Sequence, residues 1–259
     1  MNRQSNKHKY TLPRFAMEFK PLVIAIEGGI GAGKSTVLQK LKHLLGGKLG
    51  IAFVDEPVSE WEERGFLQAM YKKEVNSCVF QHMVLTSLAG DLLKTLFTQN
   101  PAVVITERSA FSNLHVFAKA NLVDKELEMY EFTWKRVVDS MLPTINTRFI
   151  YLDTSIEEAK KRIRTRNRGC ESDIEDEYIQ KICRLHEEWL AGVAEPEKCV
   201  RINANQEADV VAGKVLATLV AWIVERSDVY LASRRQPRQD PAERAALLRQ
   251  IADHPLFRE

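Results

Sequence analysis

The sequence predicts a doubly wound α/β domain, a five-stranded parallel sheet flanked by helices, over about residues 21–226. Short apolar runs alternate with longer stretches of helical spacing. The runs are continuous rather than alternating with polar residues, as strands buried on both faces are. A glycine-rich turn of the form G-x-x-x-x-G-K-[ST] joins the first run to the first helical stretch.

Taken in order, run 22–26 (Leu-Val-Ile-Ala-Ile) is the first strand. Gly28, Gly29, Ile30, Gly31, Ala32, Gly33, Lys34 and Ser35 form the turn, and Thr36 follows it into a helix over 35–45. Val37, Leu38, Leu41, Leu44 and Leu45 repeat there at helical spacing. Strands are predicted at 51–54, 102–106, 148–152 and 199–202. Helices are predicted near 61–71, 77–99, 109–120, 125–141, 155–168, 175–192 and 207–226. Ligands of such sheets bind outside the carboxyl ends of the strands, and every candidate motif stands at one of those ends.

The chain has 259 residues, enough for a sizeable core. Its 37 basic residues nearly balance 35 acidic ones, which gives no whole-chain case for nucleic-acid binding. No apolar run reaches about 18 residues, so no transmembrane helix is predicted, and the chain opens with no secretory h-region. Cys78, Cys170, Cys183 and Cys199 are widely spaced and read as free thiols of a reducing compartment, which points to the cytoplasm. Residues 1–20 hold five basic side chains against one acid. That bias suits a mitochondrial transit peptide, but the apolar residues lack helical spacing, so a flexible basic tail is the preferred reading. Residues 227–259 read as an appendage, with a short helix over 242–251.

The turn is a phosphate-binding loop: its backbone N–H groups converge on an anion, Lys34 reaches the β- and γ-phosphates, and Ser35 can ligate Mg²⁺. The second strand ends Asp55-Glu56-Pro57. Pro57 biases Glu56 toward an extended backbone. Glu56 is then either a base that takes a proton from an acceptor hydroxyl or an acid capping a solvent loop. The third strand ends Glu107-Arg108-Ser109. Glu107 stands where a carboxylate holds the metal directly or through water, Arg108 could position Glu56 or a phosphate, and Ser109 can cap the next helix. On a helix, Arg162 and Arg166 share one face and Arg164 and Arg168 another. The first pair is assigned to the transferred phosphate and the second to solvent. Residues 166–174 read as a flap that closes over ATP.

In this order and spacing, these pieces resemble the deoxyribonucleoside kinases over roughly 22–192. The resemblance rests on Ile26-Glu27 with the loop, Glu56-Pro57-Val58 with Trp61, Phe80-Gln81, and Glu107-Arg108-Ser109 with Phe111 and Phe117. The Arg-rich flap and Leu185-His186-Glu187-Glu188-Trp189-Leu190 complete it. It implies a P-loop kinase fold and transfer of the ATP γ-phosphate to a deoxyribonucleoside 5′-hydroxyl, with Mg²⁺. Glu56 is then the general base and Arg108 its neighbour at the hydroxyl. Gln81 reads the base edge, Trp61 and Phe117 wall the base, and Tyr71 with Glu171 grips the sugar 3′-hydroxyl. Deoxycytidine kinase places a small residue, an arginine and an aspartate where this chain has Val84, Leu88 and Asn113. Leu88 and Asn113 cannot form that ion pair, and Leu88 offers a surface for a 5-methyl group, which implies thymidine as the favoured substrate. The family also implies a homodimer through helices near 109–120 and 125–141.

The chain departs from its relatives in several places. The spacing from Tyr71 to Gln81 is one residue shorter, residues 203–207 lack a phenylalanine, and Cys170 replaces an acid. Two other readings are a nucleoside monophosphate kinase, which would need basic groups where Glu56 stands, and a non-catalytic subunit of the same fold.

Overall fold

The computed structural model describes residues 20–47, 50–141, 145–171, 174–193 and 198–233. The tail before Lys20 and the helix expected over 242–251 lie outside the described residues. The sheet has five parallel strands: β1 (Leu22–Glu27), β2 (Ile51–Val54), β3 (Val103–Glu107), β4 (Asn146–Asp153) and β5 (Cys199–Asn203), in the order β2-β3-β1-β4-β5. The chain builds β2 and β3 on one side of β1, then crosses to the other for β4 and β5. The phosphate loop leaves β1 at this changeover, where open α/β sheets form their ligand crevice.

Both faces of the sheet are covered, which explains the continuous apolar run of β1. Successive side chains of a strand point to opposite faces. Leu22, Ile24 and Ile26 pack under α1 (Lys34–Leu45) and α10 (Ala208–Ser233), with Val215 and Leu219. Val23 points the other way, toward Leu92 and Leu96 of α4 (Ser77–Gln99) and Met141 of α7 (Asp124–Met141). Helix α10 runs past the expected end at 226 to Ser233.

Two helices differ from expectation. The helix predicted over 61–71 is two short ones, α2 (Val58–Glu63) and α3 (Phe66–Tyr71). Gly65, at φ 71°, turns the chain between them, a backbone state that few other residues adopt cheaply. The helix predicted over 109–120 begins as α5 (Ala110–Ser112), widens into a π-helix over Asn113–Ala118 and ends as α6 (Lys119–Asn121). Its N-terminus has the cap expected of Ser109, whose hydroxyl accepts from the Phe111 and Ser112 N–H groups. The helix predicted to reach 168 is α8 (Ile156–Arg166), which stops because Asn167 adopts the left-handed state at φ 48°.

Behind β4, α9 (Asp176–Ala191) packs an aromatic layer against the sheet. His186 is fully buried, stacks on Tyr151 at 5.9 Å, and donates from Nδ1 to Ile182 O at 2.8 Å. His115 stacks on Trp189 at 5.4 Å. Burial, together with the nearby positive charge of Arg108 and Lys34, pushes His186 down to about 3, and burial with Lys119 pushes His115 down to about 4. As pH falls below the ordinary histidine value of about 6.5, the unfolded chain takes up these protons and the folded chain does not. Stability is therefore lost as pH drops from about 6.5 toward these depressed values. Replacing His115 by Phe keeps a ring at that position and removes one titrating group. Its urea midpoint relative to wild type is expected to rise steadily between pH 6.5 and pH 4; a constant difference would contradict the buried neutral state.

Candidate active site

Strand register brings the site together. Ile26 pairs with Glu107, and Val54 pairs with Thr106, so β1, β2 and β3 end level with one another. Their three exits supply the phosphate loop, Glu56 and Arg108. A cleft of about 990 Å³ opens there. It is lined by residues 30–36 of the loop and by Glu56, Trp61, Tyr71, Gln81, Val84, Leu88, Glu107, Arg108, Asn113, Phe117, Arg162, Arg166 and Glu171. Of the loop, Gly28 and Gly29 do not line it. Their carbonyls accept from Lys34 Nζ, a lining residue, at 3.2 and 2.9 Å.

Glu56 reaches the cleft through a tight turn. Val58 N–H donates to Glu56 O at 2.8 Å across Pro57, whose φ of −79° and ψ of 46° make an inverse γ-turn. The neighbouring Asp55, which also lines the cleft, pairs with Lys42, whereas Glu56 pairs with Arg108. Glu56 Oε2 accepts from Arg108 Nε at 2.9 Å, with both side chains largely shielded from solvent. Arg108 Nη1 donates to Gly28 O at 3.0 Å, and the guanidinium lies 4.5 Å over the Phe117 ring. One side chain thus joins the phosphate loop, the carboxylate and an aromatic wall. Its backbone is held in the left-handed region at φ 63°, an uncommon state for arginine. Two bonds hold it there: Arg108 N–H to Ile26 O at 3.0 Å, and Thr106 Oγ1 to Arg108 O at 2.7 Å.

Ser35 Oγ donates to Glu107 Oε1 at 2.7 Å, so the two residues expected at the metal are in contact. Burial, then the neighbouring Glu56, pushes the Glu107 carboxyl up. Burial and Arg108 pull Lys34 down to about 8. Glu27, whose role the sequence does not reveal, sits fully buried under the site and accepts from Ser109 Oγ at 2.6 Å. Burial raises it to about 7 against the pull of Arg108 and Ser109. Among the described residues its Oε2 has no hydrogen-bond partner.

The arginine assignment needs correction. Arg162 does reach the loop, donating from Nη1 to Ala32 O at 3.3 Å and from Nη2 to Ala204 O at 2.8 Å. Arg166 also lines the cleft, but its guanidinium pairs with Glu171. Arg168 does not face solvent: with α8 ended at Arg166 it lies off the helix and pairs with both Glu171 and Glu62. Only Arg164 of the supposed solvent pair is exposed. Arginine spacing alone could not show this, because the break at Asn167 takes Arg168 out of phase. Residues 172–173 of the expected flap lie outside the described residues.

At the other end of the cleft Trp61 and Phe80 meet edge to face at 6.3 Å, packed with Val84 and Leu88. The π-helix brings Asn113 and Phe117 onto the cleft together, and π-turns are frequent at functional sites. Tyr71 lines the cleft despite the shortened spacing to Gln81. Tyr178 is a lining residue missed in the sequence; its hydroxyl accepts from Asn121 Nδ2 at 2.9 Å. A lone tyrosine on an amphipathic helix gave no signal.

Residues 24–224 match the deoxynucleoside kinase family. The chain belongs to that family. It is 29% identical over 205 residues to a thymidine kinase of Ictalurid herpesvirus 1, covering 76% of this chain and 86% of the viral one. It is 30% identical over 193 residues to a probable deoxycytidine kinase of fowlpox virus, covering 72% and 79%. Human deoxycytidine kinase is 32% identical over 199 residues, covering 64% and 74%. A solved deoxyadenosine kinase from M. mycoides shares the fold with a TM-score of 0.59 at 24% identity, covering 77% of this chain and 99% of that one. The named nucleosides differ among these relatives, so membership of the deoxynucleoside kinase family does not choose the base.

The loop geometry is testable. A Cβ on Gly31 (φ 79°) would stand 2.5 Å from the Ala159 carbonyl oxygen, whereas Gly47 (φ 72°) has nothing within 4 Å. Gly47→Ala should cost only the left-handed strain, about 1–2 kcal/mol. Gly31→Ala should cost clearly more and abolish nucleotide binding, as read by urea unfolding and by fluorescent-nucleotide titration. Equal costs would show that the loop is not pressed against α8.

Proposed function

We propose that this chain is an ATP-dependent deoxyribonucleoside kinase that moves the γ-phosphate to a nucleoside 5′-hydroxyl, with thymidine favoured. The observation that carries this reading is the Arg108 bridge. Through it a carboxylate stands beside a phosphate cradle, held at Gly28 by one hydrogen bond and at Glu56 by another. Glu56 orients the 5′-hydroxyl and takes its proton as the new O–P bond forms and the bond to the β-phosphate oxygen breaks, releasing ADP. Lys34 carries positive charge at the loop, where the transferred group is most anionic, and Arg162, paired with Glu158, reaches the same loop. Ser35 and Glu107 are hard oxygen donors in contact with each other, the ligand type that suits a divalent cation. They would hold Mg²⁺, which when bound neutralises charge on the phosphates.

A monophosphate kinase is the weaker reading. Beyond Arg108 the cleft carries Glu56 and Glu171, and Arg166 and Arg168 are already engaged with Glu171 and Glu62, so these cations are not available to receive an acceptor phosphate. A non-catalytic subunit has no need of the buried Glu56–Arg108 pair, whose desolvation costs several kcal/mol unless well matched. The apolar wall of Val84 and Leu88 supports a pyrimidine with a 5-methyl group. We place the kinase unit at 21–226, the flap at 166–174 and an appendage at 227–259. The cytoplasm is the preferred setting, with mitochondria the alternative. Cys78, Cys183 and Cys199 are free thiols, which suits a reducing compartment.

Phosphorylation of four deoxyribonucleosides with ATP tests the reading. Thymidine should lead, with deoxyuridine accepted; deoxyguanosine preferred over thymidine would refute the base assignment. Glu56→Gln should lower kcat about 10²–10⁴-fold with little change in the KM for ATP. Retained turnover in that variant would remove Glu56 from the chemistry.

The homodimer is also a proposal. The helical rod 110–121 buries Ala110, Leu114, Val116 and Ala118 within its own chain, so it leaves little apolar surface for a partner. Helices α4 and α7 instead leave Val79, Phe97, Met129 and Phe132 about two-thirds exposed. Replacing Met129 and Phe132 by Glu should weaken self-association by about tenfold or more in sedimentation equilibrium. An unchanged mass distribution would exclude this face.

A further inference from the structure

Behind the base end of the cleft runs a chain of three polar side chains. Gln81 of α4 and Asn113 of the π-helix line the cleft, and Tyr130 of α7 stands fully buried behind them. The Tyr130 hydroxyl bonds to Asn113 Oδ1, and Asn113 Nδ2 donates to Gln81 Oε1 at 2.7 Å.

A side-chain amide has a donor end and an acceptor end, so such a chain could run in either direction. The phenol hydrogen decides. Among the described residues Asn113 is the hydrogen-bond partner of the Tyr130 hydroxyl. Were Tyr130 to accept from Asn113, its own hydrogen would lie buried without an acceptor, a costly arrangement. Tyr130 therefore donates to Oδ1, which turns Asn113 Nδ2 toward Gln81 and Gln81 Oε1 toward Asn113. Burial raises the phenol above the ordinary tyrosine range, so that hydrogen stays in place at neutral pH.

We propose that Tyr130 is a positioning residue for base selection, fixing the direction of the Asn113–Gln81 pair so that the cleft presents, in order, an Asn113 N–H, the Gln81 Oε1 and a Gln81 N–H. This rests on the deoxynucleoside kinase reading, in which Gln81 faces the base edge. The array is donor, acceptor, donor. Thymine and uracil offer the complement: carbonyl, N3–H, carbonyl. Cytosine offers amino N–H, bare N3 and carbonyl, which opposes donor to donor and acceptor to acceptor. Slid along by one place it makes two bonds and leaves the Asn113 N–H without an acceptor. Leaving a buried polar group unpaired is the form of discrimination that binding sites enforce best. The 5-methyl group is not part of this recognition, so deoxyuridine should share the advantage of thymidine over deoxycytidine.

Two variants test the proposal, each read as the ratio of kcat/KM for thymidine to that for deoxycytidine. Tyr130→Phe keeps the ring that packs with Leu85 and Val138 and removes the hydroxyl. With the direction released, the ratio should fall about tenfold or more, chiefly through the KM for thymidine, while the KM for ATP stays put. Asn113→Asp places an acceptor beside Gln81, draws its Nε2 inward and reverses the array, so the ratio should invert in favour of deoxycytidine. A folded Tyr130→Phe enzyme with the wild-type ratio would overturn the role of Tyr130. Should that variant fail to fold, Asn113→Asp still decides: a retained thymidine preference overturns the array. Wild-type protein that phosphorylates no nucleoside overturns the kinase reading itself, and the array with it.

Discussion

One guanidinium ties the ends of three strands together. Arg108 follows β3, accepts the left-handed backbone that the exit requires, and bonds to Gly28 after β1 and to Glu56 after β2. Removing one member of a buried pair of this kind costs about 3–5 kcal/mol, because the other charge is left unmatched. The cleft therefore inherits its geometry from the sheet. Register sets the level of the strand ends, and Arg108 converts that level into a fixed separation between the phosphate cradle and the carboxylate. The aromatic wall at Phe117 is attached to the same group.

Charge in this region is kept close to balance rather than strongly positive. Lys34 and Arg108 are buried beside Glu27, Glu56 and Glu107, and these carboxylates act to keep both cations charged. Burial works to lower Arg108, but Glu56, Glu27 and Glu107 outweigh it and hold the guanidinium charged. Cations gather at the loop, and a carboxylate stands farther along the cleft, held by Arg108.

The sheet and the phosphate loop were legible from residues because their signals are local. A strand buried on two faces is a continuous apolar run, and the loop is a fixed pattern between such a run and a helix. Glu56, Glu107 and Arg108 were legible as positions at strand ends. Their mutual contact was not, because it depends on the register of β1 against β3 and β2. The helix breaks at Gly65 and Asn167 are single backbone choices that periodicity averages away, and missing the second misplaced Arg168. Glu27, Tyr130 and Tyr178 lie too far in sequence from the groups they touch to announce a role. Asn113 was read as a departure from its relatives, while its meaning came from the buried phenol behind it.

The π-helix over Asn113–Ala118 has a consequence for how this pocket can change. The rod from Ala110 to Asn121 buries Leu114, Val116 and Ala118 in the fold while presenting Asn113 and Phe117 to the cleft. Its wider turn takes up one more residue than an α-turn would, and each residue of an α-helix advances the face by about 100°. Deleting a single residue there would let the rod relax to ordinary winding with its two ends still in phase, and the change would fall on the turn that carries Asn113 and Phe117. The lining of the pocket thus rests on one surplus amino acid, and a loss of one codon would rewrite that lining where most point changes only adjust it.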